Sequence, residues 1–312
     1  MVERIRRGDT PIWYGASPMV EPTPGPAPRR LDAQLVSDLT ANRPDFENVV
    51  RSIHDLTDFL LRSATPDFGV PSPTALHAHG AYSAAVARAK LMYFHRVLVL
   101  RAAELVPEAI RAINESRLVS FGLSARGVLE TAAAGAFHAR RLALDDSATA
   151  LPDDYWQRLH AAVLSGRFNW LRLFTDHATR LAMIEAYDAD PKKQLPPNPA
   201  TNILSMLDVL GKRLRAQVDK ARGIVLHDYA LLSDLSHPSA GSNLVFLAES
   251  EPRMRAELVP RRRTVLGLAE MLLPCVAYSA SALVEVLAEL EQLDERLARM
   301  PAPAPPAEGT GA

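Results

Sequence analysis

The sequence predicts an all-α protein built as a multi-helix bundle, and three observations support this fold class. Apolar residues recur at steps of three and four, as at Ile53, Leu56 and Leu60, which is the spacing of one helix face. No alternation of strands with helices is visible along the chain. Hydrophobic residues make up 48% of the 312 positions, and helices this apolar must pack against one another to bury a common core.

Proline density divides the chain into three parts. Residues 1–44 contain seven prolines, a density that opposes a long helix and predicts an extended, disordered arm. Within this arm Ile12, Trp13 and Tyr14 provide an anchor for the domain itself or for a partner protein. Residues 301–312 contain no large apolar side chain and are predicted to be a disordered tail. We therefore expect a single helical domain at residues 45–300.

Within this domain the apolar pattern divides into separate helices. Pro107 is expected to open a new turn and so to end the helix before it, and Pro274 is a point where the last helix could kink. The predicted helices span residues 45–63, 74–106, 118–144, 152–186, 201–222, 227–237 and 262–300.

Composition excludes several kinds of partner and location. The net charge of −1 gives no general attraction to nucleic acid or to an anionic membrane. The single cysteine, Cys275, lies in an apolar run, which predicts a buried thiol and excludes a disulfide within one chain. The chain begins without an apolar leader, and its longest uncharged apolar stretch, residues 271–284, is too short to span a membrane. We therefore expect a cytoplasmic protein without membrane association.

Motifs for a cofactor or a metal are absent from the sequence. It lacks the glycine-rich phosphate-binding loop, the dinucleotide-binding glycines, the nucleophile elbow of hydrolases and the zinc-binding His-Glu-x-x-His pattern. Two His-Asp pairs, His54–Asp55 and His227–Asp228, have no further ligands at suitable positions. The prediction is that the protein uses neither cofactor nor metal.

Two polar groups interrupt the apolar pattern of their helices. Arg126 and Glu130 are four residues apart, so they share one face of a helix otherwise built from Gly, Ala, Leu and Val. Tyr229, Ser233 and His237 also recur at steps of four, and they lie within about 80° of a helix surface. Because buried charges need partners, we expect Arg126 and Glu130 to meet the helix that carries the second group.

This constellation has two interpretations, which the sequence leaves open. In the catalytic one, Glu130 and His237 share acid–base work in a cleft with Tyr229, while Arg126 holds an anion. In the structural one, these groups satisfy one another inside the bundle and fix the register of its helices. No nucleophile accompanies them, so the sequence does not decide whether the protein is an enzyme.

Two further features concern assembly and charge. The last predicted helix is longer than one layer of a bundle covers, and its residues 271–284 lack a polar face. This predicts that part of the helix packs on another copy of the chain in a homodimer. Basic residues between Lys212 and Arg222, and between Arg253 and Arg263, offer contacts to phosphate. The neutral net charge favours the alternative that these residues are solvated or paired with carboxylates.

The two polar segments resemble a known group of proteins. An Arg-x-x-x-Glu pattern in an alanine-rich helix, followed about a hundred residues later by Tyr-x-Leu-Leu-Ser-x-x-x-His-Pro, resembles bacterial all-helical proteins distantly related to the HEPN superfamily. The matching residues include Arg126, Glu130, Tyr229 and His237, and the resemblance covers roughly residues 91–290. Genes for such proteins often lie near defence or abortive-infection genes. The resemblance implies a HEPN-like bundle that acts as a dimer.

HEPN ribonucleases carry an arginine and a histidine on one helix with four to six residues between them, and they cleave RNA without a metal. Three pairs have this spacing here, as many as composition alone would supply: Arg88 and His95, Arg172 and His177, and Arg222 and His227. None has a polar residue directly after the arginine. Arg172 and His177 are the pair that best fits the resemblance, since they follow Trp156 and Trp170 on one predicted helix. The alternative is a solvated helix face.

The resemblance implies an effector in defence or stress that acts on RNA without a metal. A second hypothesis, from a different class, is a non-catalytic helical binding module in a larger assembly, with the arm around Trp13 recruiting the partner protein.

Overall fold

Helices account for nearly all of the chain that the computed structural model describes, so the all-α bundle is confirmed. The described residues are 30–64, 84–145, 150–152, 154–164, 202–215, 219–237, 247–248, 255–256 and 262–300. The helices within them are α1 (Ala33–Asn42), α2 (Phe46–Ser63), α3 (Ala84–Asn114), α4 (Leu118–Leu142), α5 (Tyr155–Leu164), α6 (Ile203–Leu214), α7 (Ala221–Ser236) and α8 (Arg262–Arg299). A two-residue antiparallel pair, β1 (Leu247–Ala248) with β2 (Arg255–Ala256), is the extended structure among these residues.

Helix α4 lies at the centre of the bundle and contacts α3, α6, α7 and α8. Its small residues let these neighbours come close. A Cβ atom on Gly127 would lie 2.9 Å from Leu105 of α3, and one on Gly135 would lie 3.2 Å from Val286 of α8. Phe121 and Leu129 of α4 are fully buried in the same core. The alanine and glycine content of α4 is therefore a consequence of close packing on several sides.

Helix α1 corrects the predicted domain boundary. Residues 33–42 were assigned to the arm, but Leu31, Leu35 and Leu39 are buried in the core. Asp32 caps α1 by accepting hydrogen bonds from the N–H groups of the first turn. The boundary at residue 45 was wrong because the prolines are not evenly spread: the 15 residues between Pro28 and Pro44 contain none and can form a helix. Residues 1–29 and the tail 301–312 lie outside the described residues.

Two predicted helix ends were also wrong. Helix α3 continues through Pro107 to Asn114, because Val106, Ile110 and Ile113 are buried on both sides of the proline and this packing outweighs the missing hydrogen bond. The helix predicted at 201–222 is interrupted after α6, and α7 begins after Lys220, whose φ of 59° is left-handed. Periodicity carries no information on such a break, because the apolar spacing resumes on the other side.

The apolar stretch at residues 271–284 is covered within the chain. Leu272, Val276 and Leu283 of α8 are buried, and α8 packs on α2, α3 and α4. The reason given for a homodimer therefore does not hold, while the oligomeric state itself stays a prediction. By its length and by the mean hydropathy of 1.7 of its most apolar segment, α8 meets the criteria of a membrane-spanning helix. Core helices meet the same criteria, and 61% of its most apolar segment is buried inside the bundle.

Candidate functional site

The candidate site begins with an ion pair on the outer side of α4. Arg126 Nε donates to Glu130 Oε1 over 2.8 Å, as expected for residues one helical turn apart. At about 100° per residue, Arg126 and Glu130 point to the same face of α4 as Leu123 and Phe137. This face lies between the sides of α4 that pack on α3 and on α7. We call this face the outer strip of α4. Leu123 is 51% exposed, which shows that solvent reaches the strip.

Helix α7 adds two side chains to this ion pair. Arg126 Nη2 donates to Tyr229 Oη over 3.2 Å, and its guanidinium carbon lies 5.2 Å from the centre of the tyrosine ring. Arg126 Nη1 lies 3.4 Å from His237 Nε2. The hydroxyl of Ser233 makes no hydrogen bond to this group among the described residues; its main-chain carbonyl accepts the His237 N–H where α7 ends. The predicted contact of Arg126 with α7 is therefore confirmed, while Glu130, which was expected to meet α7 as well, contacts Arg126 on its own helix. We call Arg126, Glu130, Tyr229 and His237 the arginine cluster.

A glycine on α4 makes this meeting possible. A Cβ atom on Gly122 would lie only 3.0 Å from Leu235 Cβ of α7, closer than side chains normally approach. Gly122 lies one turn before Arg126, and Leu235 lies two residues before His237. The close approach of the two backbones at this point brings the arginine within reach of α7.

A second contact fixes α7 from the other side. Tyr278 of α8 donates its hydroxyl to Asp228 Oδ2 over 2.9 Å, and His227 Nδ1 lies 3.1 Å from Asp228 Oδ1. Asp228 is only 8% exposed. Because Asp228 precedes Tyr229 and successive helix residues point about 100° apart, holding Asp228 against α8 turns Tyr229 towards α4. Sequence reasoning missed this anchor, although Tyr278 stands out as a polar side chain within the apolar run 271–284.

The predicted buried thiol is confirmed beside this anchor. Cys275 is 0% exposed, and burial raises the pKa of its thiol to about 12. Burial, together with the neighbouring Cys275 and Asp228, also raises the pKa of Tyr278 far above its usual range. The Cys275 thiol and the Tyr278 phenol are therefore both protonated at neutral pH, so the phenol can donate to Asp228.

The arginine cluster is more exposed than its apolar helix suggested. The side chains of Arg126 and Glu130 are 22% and 28% exposed, and His237 is exposed. The expectation of an interior ion pair was wrong. The small residues of α4 lie on the sides that pack against neighbouring helices, whereas the outer strip of the same helix stays open. An open cluster contributes less to stability than a buried pair, and it is accessible to a ligand.

The electrostatics of the cluster keep Arg126 charged. Burial lowers the pKa of Arg126, but the hydrogen bond and charge of Glu130, together with Tyr229, outweigh burial, so its pKa is raised. A guanidinium has five N–H donors. Glu130, Tyr229 and His237 engage three of them, which leaves one N–H on each terminal nitrogen for an anion such as a phosphate oxygen.

The other Arg–His pairs differ from the cluster. Arg172 and His177 lie outside the described residues. Arg88 forms a bidentate ion pair with Asp294, with distances of 3.0 and 2.9 Å, and Arg222 pairs with Asp208. All three arginines contact a carboxylate, but only Arg126 among them also contacts an imidazole from another helix within the described residues.

Carboxylates also neutralise most of the predicted basic cluster between Lys212 and Arg222. Lys212 and Arg222 share Asp208, and Arg213 contacts both Glu285 and Glu289 of α8. Arg262 pairs with Asp38 of α1 at the start of α8. Within the described part of the chain, pairing with Asp and Glu is therefore the interpretation that holds for these residues.

Two clefts lined by described residues lie away from the cluster. One of about 460 Å³ lies between α1 and α2 and is lined by Arg30, Arg51 and His54 among others. A second, of about 160 Å³, lies between the end of α4 and α8. Among the described residues no group of three or more His, Cys, Asp or Glu side chains is arranged to hold a metal ion. Neither of these two clefts is lined by a residue of the arginine cluster.

Comparison with models of protein families, with curated proteins and with solved structures found no match to this chain.

Proposed function

We propose that the chain is a helical effector in defence or stress that acts on RNA without a metal, and that the arginine cluster is its site. The observation that carries this proposal is the contact between Arg126 and His237, which places a guanidinium and an imidazole together on an accessible surface. The resemblance of the same residues to HEPN-related proteins supports it, and dimerisation is part of the proposal on that ground alone.

The chemistry available to these groups is cleavage by the neighbouring 2′-hydroxyl of RNA. The 2′-oxygen attacks the adjacent phosphorus while its proton passes to His237 or Glu130. Arg126 stabilises the negative charge that grows on the phosphate oxygens. The bond from phosphorus to the 5′-oxygen breaks, and that oxygen takes up a proton from the second acid–base group. The products are a 2′,3′-cyclic phosphate and a 5′-hydroxyl, and no metal enters the reaction.

The shape of the site favours a polymer over a small molecule. Small-molecule sites are usually concave and bury most of their ligand. The arginine cluster lies instead on the open outer strip of α4, where a single strand can lie across the helix. Exposed Leu123, one turn before Arg126, offers an apolar surface to a base.

The test is cleavage of single-stranded RNA by purified protein in the presence of EDTA. His237→Ala and Arg126→Gln should each lower the rate by roughly 10²–10⁴-fold, the usual range for loss of an acid–base group or of charge stabilisation. His227→Ala is the matched control, because His227 is an exposed imidazole on the same helix that does not contact Arg126. Equal rates for His237→Ala and the parent protein would remove the cluster as the site of cleavage.

A second candidate is the non-catalytic helical binding module. The observation that favours it is that three donors of Arg126 already bind groups of its own chain, as in polar clusters that fix helix register. Under this hypothesis the parent protein does not cleave RNA, and loss of His237 alters only the packing of α7 on α4. Absence of cleavage in the parent protein, in any oligomeric form, would favour this function.

A further inference from the structure

The outer strip of α4 is flanked by a neighbouring helix on each side, and only one of these two helices contributes residues to the arginine cluster. Helix α7 flanks one side with Tyr229 and His237. Helix α3 flanks the other, where Leu105 packs on Gly127 of α4. Any ligand that reaches Arg126 along the strip therefore also meets the exposed side chains of α3.

One of these side chains is a cation held by Thr131, the residue that follows Glu130 on α4. Arg101 of α3 is exposed, and its Nε donates to Thr131 Oγ1 of α4 over 2.9 Å. Thr131 is 3% exposed and donates in turn to the Gly127 carbonyl over 2.6 Å, so the acceptor of Arg101 is held in place. The Nε atom of Arg101 is thus held against α4, while the two terminal nitrogens of its guanidinium can face a ligand.

Arg101 differs from most arginines around α4 in its partners. Arg126, Arg213 and Arg222 each contact a carboxylate. Among the described residues no carboxylate lies within ion-pair distance of Arg101, whose polar contact is the neutral hydroxyl of Thr131. A guanidinium without a carboxylate partner keeps its full attraction for an external anion.

The positions of Arg101 and Arg126 follow from their anchors on α4. Glu130 and Thr131 are consecutive, with Cα atoms about 3.8 Å apart. Around the helix axis, Thr131 lies about 100° from Glu130 on the side of α3, and Arg126 lies about 40° from Glu130 on the side of α7. The two guanidinium groups therefore flank Glu130 across the outer strip.

We infer that Arg101 is a second phosphate-binding residue, and that the ligand is a single strand of RNA that crosses α4 and places one phosphate at each guanidinium. This inference rests on the proposed function and specifies its substrate: at least two linked phosphates, not a mononucleotide. Thr131 acts as a positioning residue for Arg101.

The experiment measures binding of an eight-nucleotide 2′-O-methyl RNA, which the 2′-hydroxyl mechanism cannot cleave, at a series of KCl concentrations. For single strands each phosphate contact contributes about −0.7 to the slope of log K against log salt. The parent protein should show a slope of about −1.4, and Arg101→Gln about −0.7. Arg101→Lys retains the charge and should keep the parent slope. Arg62→Gln is the control, because Arg62 is exposed on α2, which packs on α1, α3 and α8.

The outcomes separate the inference from the function on which it rests. If Arg101→Gln keeps the parent slope while Arg126→Gln reduces it, Arg101 does not bind phosphate, and the proposed function stands without it. If the parent protein neither binds this oligomer nor cleaves the matching RNA, the proposed function fails and the inference fails with it. A reduced slope in Arg101→Gln, with Arg101→Lys and Arg62→Gln unchanged, supports the inference.

Discussion

Two neighbouring residues of α7 take part in contacts of opposite character. Asp228 is buried against α8, where Tyr278 donates to it over 2.9 Å. Tyr229 accepts from Arg126 over 3.2 Å at the edge of the open strip on α4. Asp228 is only 8% exposed, whereas the Arg126 side chain is 22% exposed, so the first contact is better shielded from water than the second. The buried contact holds α7 in place, and the open contact is available to a ligand.

The largest expected effect comes from breaking the buried contact. Tyr278→Phe removes the hydroxyl that donates to Asp228, and loss of a hydrogen bond to a buried carboxylate costs roughly 1.5–3 kcal/mol. Urea denaturation of the variant should show this loss in the free energy of unfolding. Tyr93→Phe is the control, since the Tyr93 hydroxyl makes no hydrogen bond within the described residues. Equal losses in the two variants would show that Asp228 does not depend on Tyr278.

The buried side of α4 also predicts a dependence of stability on pH. His138 is 3% exposed, and burial followed by the charge of Arg141 lowers its pKa from 6.5 to about 4. The unfolded chain therefore binds more protons than the folded one between these values, and stability falls as the pH drops below 6.5. This group alone should make the protein about 2 kcal/mol less stable at pH 5 than at pH 7.

The variant His138→Leu isolates this contribution. Burial lowers the pKa of His54 and of His95 as well, so the parent protein should lose further stability in the same direction. His138→Leu should lose less between pH 7 and pH 5 than the parent protein in the same urea titrations. An identical decline in both proteins would show that His138 is not held neutral.

A smaller loss of stability is expected from a substitution at Gly122, where α4 and α7 come closest together. Gly122→Ala places a Cβ 3.0 Å from Leu235 Cβ, which should push α7 away from α4. Overpacking of this kind costs about 1–3 kcal/mol, and the better helix propensity of alanine offsets up to about 1 kcal/mol, so a net loss near 1 kcal/mol is expected.

The activity of Gly122→Ala should fall by more than its stability suggests, because Arg126 loses contact with Tyr229 and His237. RNA cleavage measured well below the melting temperature checks this point. Retention of full activity would show that the cluster tolerates a shift of α7.

The smallest effect on stability is expected in the open cluster itself. Glu130→Gln removes the ion pair with Arg126, whose two side chains are 22% and 28% exposed, and should cost about 0.2–1 kcal/mol. If the cluster is catalytic, the same variant should lose most of its RNA cleavage. A loss of several kcal/mol would indicate a buried structural pair and contradict the contrast drawn between the two contacts.

The part of the fold that sequence could predict is the part that local periodicity controls. Helix α2 begins one residue after its predicted start and ends at Ser63 as expected. Helix α4 ends two residues before its predicted end. The run through Pro107 could not be predicted, since a proline rule is local while the buried Ile110 and Ile113 depend on α3's neighbours. The cluster was predictable because its polar residues recur at steps of four on α4 and on α7, which places them on one face of each helix.

The sequence by itself determined the helical fold, the shared face of Arg126 and Glu130, and the polar face of Tyr229, Ser233 and His237, because these depend on residue spacing along one helix. Only the tertiary structure decided that Arg126 meets Tyr229 and His237 beside an open strip, that Tyr278 anchors Asp228, and that Arg101 contacts Thr131. Exposure and contact depend on which distant segments cover each face, and a spacing within one helix contains no information about its neighbours.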